Sequence, residues 1–154
     1  MEFDPDNHVV KLCAQGMGLE GEGKNDDALK LFQKAWDETT NDLEKFIAAH
    51  YVARHQKTLT DKLKWDETAL HFALKTDNEM MKASYPSLYL NIAKCYEDLE
   101  DFNTAIKHYE LALSHITLLP NDGYGNMIKA GIKKGIERVS SFHPGSSHSS
   151  FSEF

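Results

Sequence analysis

The chain is expected to be all-α, and three observations carry that expectation. Apolar residues recur at three- and four-residue steps in one segment after another. Proline occurs only at positions 5, 86, 120 and 144, so residues 8–76 contain none. No segment alternates apolar and polar side chains with period two, so no strand is expected.

Each helix has its own signature. Val9, Leu12, Cys13, Gly16 and Leu19 make the first stripe, which Gly21, Glu22 and Gly23 interrupt. Asn25 is placed to cap a second helix whose inner face is Ala28, Leu31, Phe32, Ala35 and Trp36. Asn41 and Glu44, three apart, resemble a capping box that opens a third helix through about residue 57. A fourth covers residues 60–76, with Leu63, Trp65, Ala69, Leu70, Phe72 and Ala73. Trp36 and Trp65 are expected to fill core. Ser84 as cap and Pro86 in the first turn start a fifth helix, with Leu88, Tyr89, Ile92, Ala93, Tyr96 and Leu99 on one face. Asp101 caps a sixth, lined by Phe102, Ala105, Ile106, Tyr109, Ala112, Leu113 and Ile116, which stops near Pro120 and Gly123. A last helix over residues 125–140 carries Ile128, Ile132, Ile136 and Val139, with Lys129, Lys133, Lys134 and Arg138 outside. Residues 141–154 are serine-rich and read as a flexible tail, pinned by Phe142 or Phe151.

Composition narrows the function. With 154 residues, 41% of them apolar and 27% charged, the chain suits one domain with a real core. A net charge of −7 opposes a phosphate backbone, so no nucleic-acid partner is expected. No run of about 18 apolar residues exists, so no membrane span is expected. The first ten residues carry three acids and no apolar run, unlike a secretory signal. Cys13 and Cys95 are therefore expected to be reduced thiols in a cytoplasmic protein.

The chain also repeats itself. Shifted by 77 residues, Ala28, Phe32 and Ala35 fall on Ala105, Tyr109 and Ala112, and Leu12, Gly16 and Leu19 fall on Tyr89, Ala93 and Tyr96. Small residues stand where two helices cross, and large ones interlock beside them.

This pattern resembles the tetratricopeptide repeat, a helix–turn–helix unit of about 34 residues, and the chain looks like a small bacterial-type member of that family. Residues 9–42 and 86–119 fit the pattern well, and residues 43–85 look like a degenerate, longer middle unit. There Ala53 or Gln56 takes the small position of the first helix, and Thr68 or Ala69 that of the second. Thr40 and Thr117 stand where the family has a repeat-ending proline. The resemblance implies one domain over residues 1–140: a right-handed α–α superhelix of about three helix pairs, closed by a capping helix over 125–140.

It also implies a concave groove, lined by the first helix of each pair, that binds a peptide or protein partner. Carried over by position, the groove residues are Cys13 and Met17 in the first unit, His50, Tyr51 and Arg54 in the middle one, and Leu90, Asn91 and Lys94 in the third, flanked by Val10, Glu20, His55, Ser87 and Glu97. Arg54 and Lys94 are placed to hold a carboxylate and Asn91 to grip a peptide backbone. The family's clamp for chaperone tails needs Lys and Asn where this chain has Cys13 and Met17, so that ligand is not expected.

Other chemistries find little support. The eight histidines show no metal-ligand spacing, and no Cys-x-x-Cys is present. No nucleophile motif, phosphate loop or dinucleotide fingerprint occurs, so neither catalysis nor a cofactor is expected. Tyr124, between Gly123 and Gly125, is expected to dock the last helix. Gly131 and Gly135 allow close approach to a neighbouring helix or to a second copy of the chain. The expected function is that of an adaptor or scaffold. The alternative is a sensor holding a small ligand or signalling peptide.

Overall fold

Side chains that stop and start helices divide this chain into hairpins. The computed structural model describes residues 3–76 and 78–142. Among them are eight α-helices, no strand and one 3-10 turn, Ile116–Leu118. The helices are α1 His8–Gly21, α2 Asn25–Asp37, α3 Asp42–Ala53, α4 Leu59–Lys75, α5 Glu79–Lys82, α6 Tyr85–Asp98, α7 Phe102–Ser114 and α8 Gly123–Ser140. The chain separates into two compact units, residues 1–81 and 82–154.

In the first unit α1 packs on α2 and α3 on α4, and α3 also packs against both α1 and α2. Asn7, Asn41 and Thr58 cap α1, α3 and α4 by accepting from the backbone N–H three residues on. The cap of α2 is Lys24, without a side-chain bond, so Asn25 is the first helical residue rather than the cap. Glu44 reaches back to the N–H of Thr40, one residue before the cap, in a displaced version of the capping box. Helix α3 stops at Ala53, earlier than its apolar pattern suggests, and Gln56 Nε2 returns to the carbonyl of Val52. Ala53 and Ala69 are buried, whereas Gln56 lies beyond α3 and Thr68 bonds the carbonyl of Lys64. Trp36 of α2 meets Trp65 of α4 edge-on at 5.1 Å, with Phe72 at 6.1 Å.

In the second unit α6 packs on α7, and α8 packs on both. Ser84 is the cap residue of α6 but makes no side-chain cap bond, and Pro86 lies in the first turn. Asp101 and Asp122 cap α7 and α8 through the N–H groups of Thr104 and Gly125. Two apolar clusters hold the helices. One joins Ala93, Ala105, Ile106, Tyr109 and Val139, and the other joins Ala112, Leu119, Ile128 and Ile132. Phe142 stacks on Phe102 at 4.2 Å, which holds the first residues past α8 against α7. The rest of the expected tail, residues 143–154, lies outside the described residues.

The two helix pairs that match in sequence also match in backbone. Added to the bounds of α1 and α2, an offset of 77 gives those of α6 and α7 residue for residue. Their turns agree as well. Gly23 N–H donates to Glu20 O at 3.0 Å and Lys24 N–H to Leu19 O at 2.9 Å. Glu100 N–H donates to Glu97 O and Asp101 N–H to Tyr96 O, both at 2.9 Å. This is the paired bonding of a Schellman motif, which needs a left-handed residue just past the helix. Gly23 supplies it with φ +77°, and Glu100 supplies it with φ +64° at the cost of side-chain crowding. The middle pair has a shorter first helix, a 17-residue second helix and a longer connection, so it does not share this register.

Glycines mark the closest approaches. A Cβ at Gly16 would lie 2.3 Å from the Phe32 ring, and one at Gly135 would lie 2.2 Å from the Tyr109 ring. A Cβ at Gly131 would sit 3.2 Å from Leu90, so both glycines of this pair serve packing inside the second unit. Gly125 lies against the Pro120 carbonyl, while Tyr124 points outward, 48% exposed. Arg138, expected on the outer surface, instead turns in. Its Nε and Nη2 donate to Glu97 at 2.8 and 3.0 Å, and Tyr109 Oη donates to the same carboxylate at 2.6 Å. Burial pushes the Glu97 carboxyl upward, but these hydrogen bonds win and hold it below the usual carboxylate range.

Two outcomes are expected. Gly16→Ala forces Phe32 aside and destabilises by about 1–3 kcal/mol, whereas Gly18→Ala, with nothing near its Cβ, stabilises the same helix by about 0.5–1 kcal/mol. Urea denaturation of the two variants checks the opposite signs. Because the folded value of Glu97 is depressed, its contribution is fully present above the unfolded glutamate value of about 4.3 and is lost as pH falls through the folded one. The stability gap between wild type and Glu97→Gln therefore narrows from pH 5 to pH 3, and a constant gap would contradict the assignment.

Candidate binding face on α1 and α3

Helices α1 and α3 are the first members of their pairs, and they pack side by side within the first unit. Their shared face carries two adjoining clefts. The first, of about 180 Å³, is lined by Phe3, Val10, Cys13, Ala14, Met17, Ile47 and Tyr51. The second, of about 130 Å³, is lined by Asn7, Asn41, Leu43, Glu44 and Met80, with Phe3, Asp4, Val10 and Ile47. Helical periodicity explains the set. Val10, Cys13 and Met17 stand three and four apart on α1, as Ile47 and Tyr51 do on α3.

The predicted residues divide between the two units. Cys13, Met17 and Tyr51 come together at the first cleft. Cys13 forms its floor: the residue is 2% exposed, and burial pushes its thiol up to about 12. Met17 is 44% exposed at the edge. Tyr51 stacks on Phe32 at 5.2 Å, and burial raises its hydroxyl above the ordinary tyrosine value. His50 lies to one side, between Phe46 and Tyr51, where burial holds its imidazole below the usual value against the opposing pull of Asp66. Leu90, Asn91 and Lys94 belong to α6 in the second unit and line neither cleft.

The cations already have carboxylates. Arg54 Nε donates to Glu20 at 3.2 Å, His55 Nε2 bonds the same oxygen, and the guanidinium lies 5.5 Å from the Tyr51 ring centre. Lys94 pairs with Asp98 at 2.7 Å, one helical turn on. Leu90 packs against both apolar clusters of its unit and against Gly131. The expected carboxylate-holding role of Arg54 and Lys94 therefore meets local pairs in both places.

Several lining residues were not foreseen. Ile47 stands one turn before Tyr51, so the helical step would have found it. Glu44 was legible only as a capping residue and Asn7 not at all, yet both line the second cleft, where Asn7 Nδ2 donates to Glu44 Oε2 at 2.8 Å. Phe3 belongs to no helix and carried no periodic signal. Among the described residues no three His, Cys, Asp or Glu side chains converge as a metal site, and no helix is long and apolar enough to cross a membrane. Two histidines of the second unit stack on tyrosines: His115 on Tyr89 at 5.6 Å and His108 on Tyr96 at 5.2 Å.

Compared with protein-family models, with curated proteins and with solved structures, the chain matches none.

The state of the cleft floor has a direct readout. A thiol with a value near 12 is about a thousandfold less ionised at pH 8 than a free cysteine. In a Cys95→Ser background, Cys13 should react with an aromatic disulfide reagent at least a hundredfold more slowly in native buffer than in denaturant. Equal rates would place the thiol at the surface.

Proposed function

We propose that this protein is a binding module, an adaptor that receives a segment of another protein on the α1/α3 face and works by burial rather than by catalysis. In this reading the helix pairs are tetratricopeptide-like units that stack in the right-handed superhelical manner of that family. The 77-residue register shared by α1–α2 and α6–α7 supports the repeat. The observation that carries the function is the pair of adjoining apolar clefts on the first helices of two successive pairs, with Met17 exposed at their edge. Apolar side chains of a bound segment cover Val10, Met17 and Ile47 and release water, while polar groups at the rim set direction. The size of the clefts favours a side chain over a free metabolite. Small-molecule pockets usually enclose about 300–1,000 Å³, and these two hold about 180 and 130 Å³. The two buried cysteines, Cys13 and Cys95, suit a reducing compartment such as the cytoplasm.

The test uses the full chain, immobilised and exposed to a displayed library of random twelve-residue peptides. Peptides retained by the wild type are expected to bind Met17→Glu at least tenfold more weakly, with unchanged helicity by circular dichroism. Retained peptides that bind the variant equally well would move the site elsewhere, and a library with no retained peptide would defeat the reading.

A further inference from the structure

Resting on that reading, we propose that the α1/α3 clefts receive an aromatic side chain set next to a lysine or arginine on an extended partner segment, and that Phe3 occupies this place until the partner displaces it. Shape argues for the aromatic ring. Phe3 lines both clefts, is half-buried, and lies 6.4 Å from the Phe46 ring at 58°. It sits in a non-helical segment anchored four residues later, where Asn7 caps α1 and bonds Glu44. The ring packs on Phe46, and the segment that carries it is anchored at Asn7.

Charge argues for the neighbouring cation. Asp4 and Glu44 both line the second cleft, and neither has a cationic partner among the described residues. Asp4 Oδ1 accepts from the N–H of Asp6 at 2.9 Å. Glu44 accepts from Thr40 N at 2.8 Å, from Thr40 Oγ1 at 3.1 Å and from Asn7 Nδ2 at 2.8 Å, all neutral donors. Burial opposes ionisation of Glu44, but these donors prevail, so it stays a carboxylate at neutral pH. Residues 1–81 carry 16 acidic against 10 basic side chains, so the long-range field favours an approaching cation as well. Glu20, three residues past Met17 on α1, is taken by Arg54 and His55, which leaves Asp4 and Glu44 as the receptors.

A resident competitor lowers apparent affinity in proportion to the time it occupies the site, so removing it tightens binding. Peptides selected on the full wild-type chain are expected to carry Phe, Tyr or Trp beside Lys or Arg. The best of them, titrated in solution, should bind Phe3→Ala about threefold or more tightly than wild type. It should bind Asp4→Asn and Glu44→Gln about threefold or more weakly, with that loss shrinking at high salt. Asp4→Asn lies outside the cap of α3, so it reports on charge even where Glu44→Gln loosens the helix start. Phe3→Leu replaces Phe3→Ala should the latter alter the far-ultraviolet spectrum. Peptides that depend on Met17 but lack the aromatic–basic pair, or that bind Phe3→Ala no better than wild type, overturn this inference and leave the binding face standing. Absence of any Met17-dependent peptide overturns both.

Discussion

The absence of a side chain at a helix crossing is the constraint on which the rest of this structure depends. At Gly16 the Phe32 ring occupies the space that a Cβ would need, and at Gly135 the Tyr109 ring does the same. Interiors pack at crystal-like density, so one missing methyl group decides how closely two helices lie and which ring slots between them. Everything nearby follows from that spacing. Phe32, seated against α1, offers its other contacts to Tyr51 and His55 of the next pair. Tyr109, seated against α8, brings its hydroxyl to the carboxylate that also receives Arg138. An aromatic ring locked by a glycine thus becomes the fixed point from which polar groups are positioned.

The matching bounds of α1–α2 and α6–α7 show how sparse the determinants of such a hairpin are. The two pairs share alanines at the crossings, an aromatic at 32 and 109, and one turn geometry, while most other positions differ. The frame is common and the surface chemistry is not. The equivalent of Met17 is Lys94, which pairs with Asp98, and the equivalent of Gly16 is Ala93. Divergence on a constant backbone is the expected behaviour of a repeat, because exposed positions of the first helix can change without moving the second.

Most of the architecture was legible because it is written in local periodicity. The seven longer helices, their order and the small residues at crossings follow from residues three and four apart, whereas the grouping of Cys13 and Met17 with Tyr51 came from the repeat resemblance. Four things were not legible, for physical reasons. Helix ends depend on which group satisfies the terminal N–H and C=O bonds, and Lys24 and Ala53 took roles that Asn25 and residue 57 seemed to claim. Short α5 lacks the length for a periodic signal. Ion pairing depends on distance in three dimensions, so the links from Arg54 to Glu20 and from Arg138 to Glu97 could not be seen along the chain. Phe3 escaped notice for the same reason: a coil residue is placed by the surface it finds, not by its own neighbours.

Glu100 deserves a last word as the weaker copy of a turn. Gly23 enters the left-handed region freely, but Glu100 holds nearly the same angle with a Cβ in place, a strain of about 1–2 kcal/mol. The bonds closing the turn have the same lengths to within 0.1 Å in the two copies, so the hairpin compels the angle rather than the residue choosing it. The second hairpin therefore carries an unused margin of robustness at one codon, and a glycine there would release it.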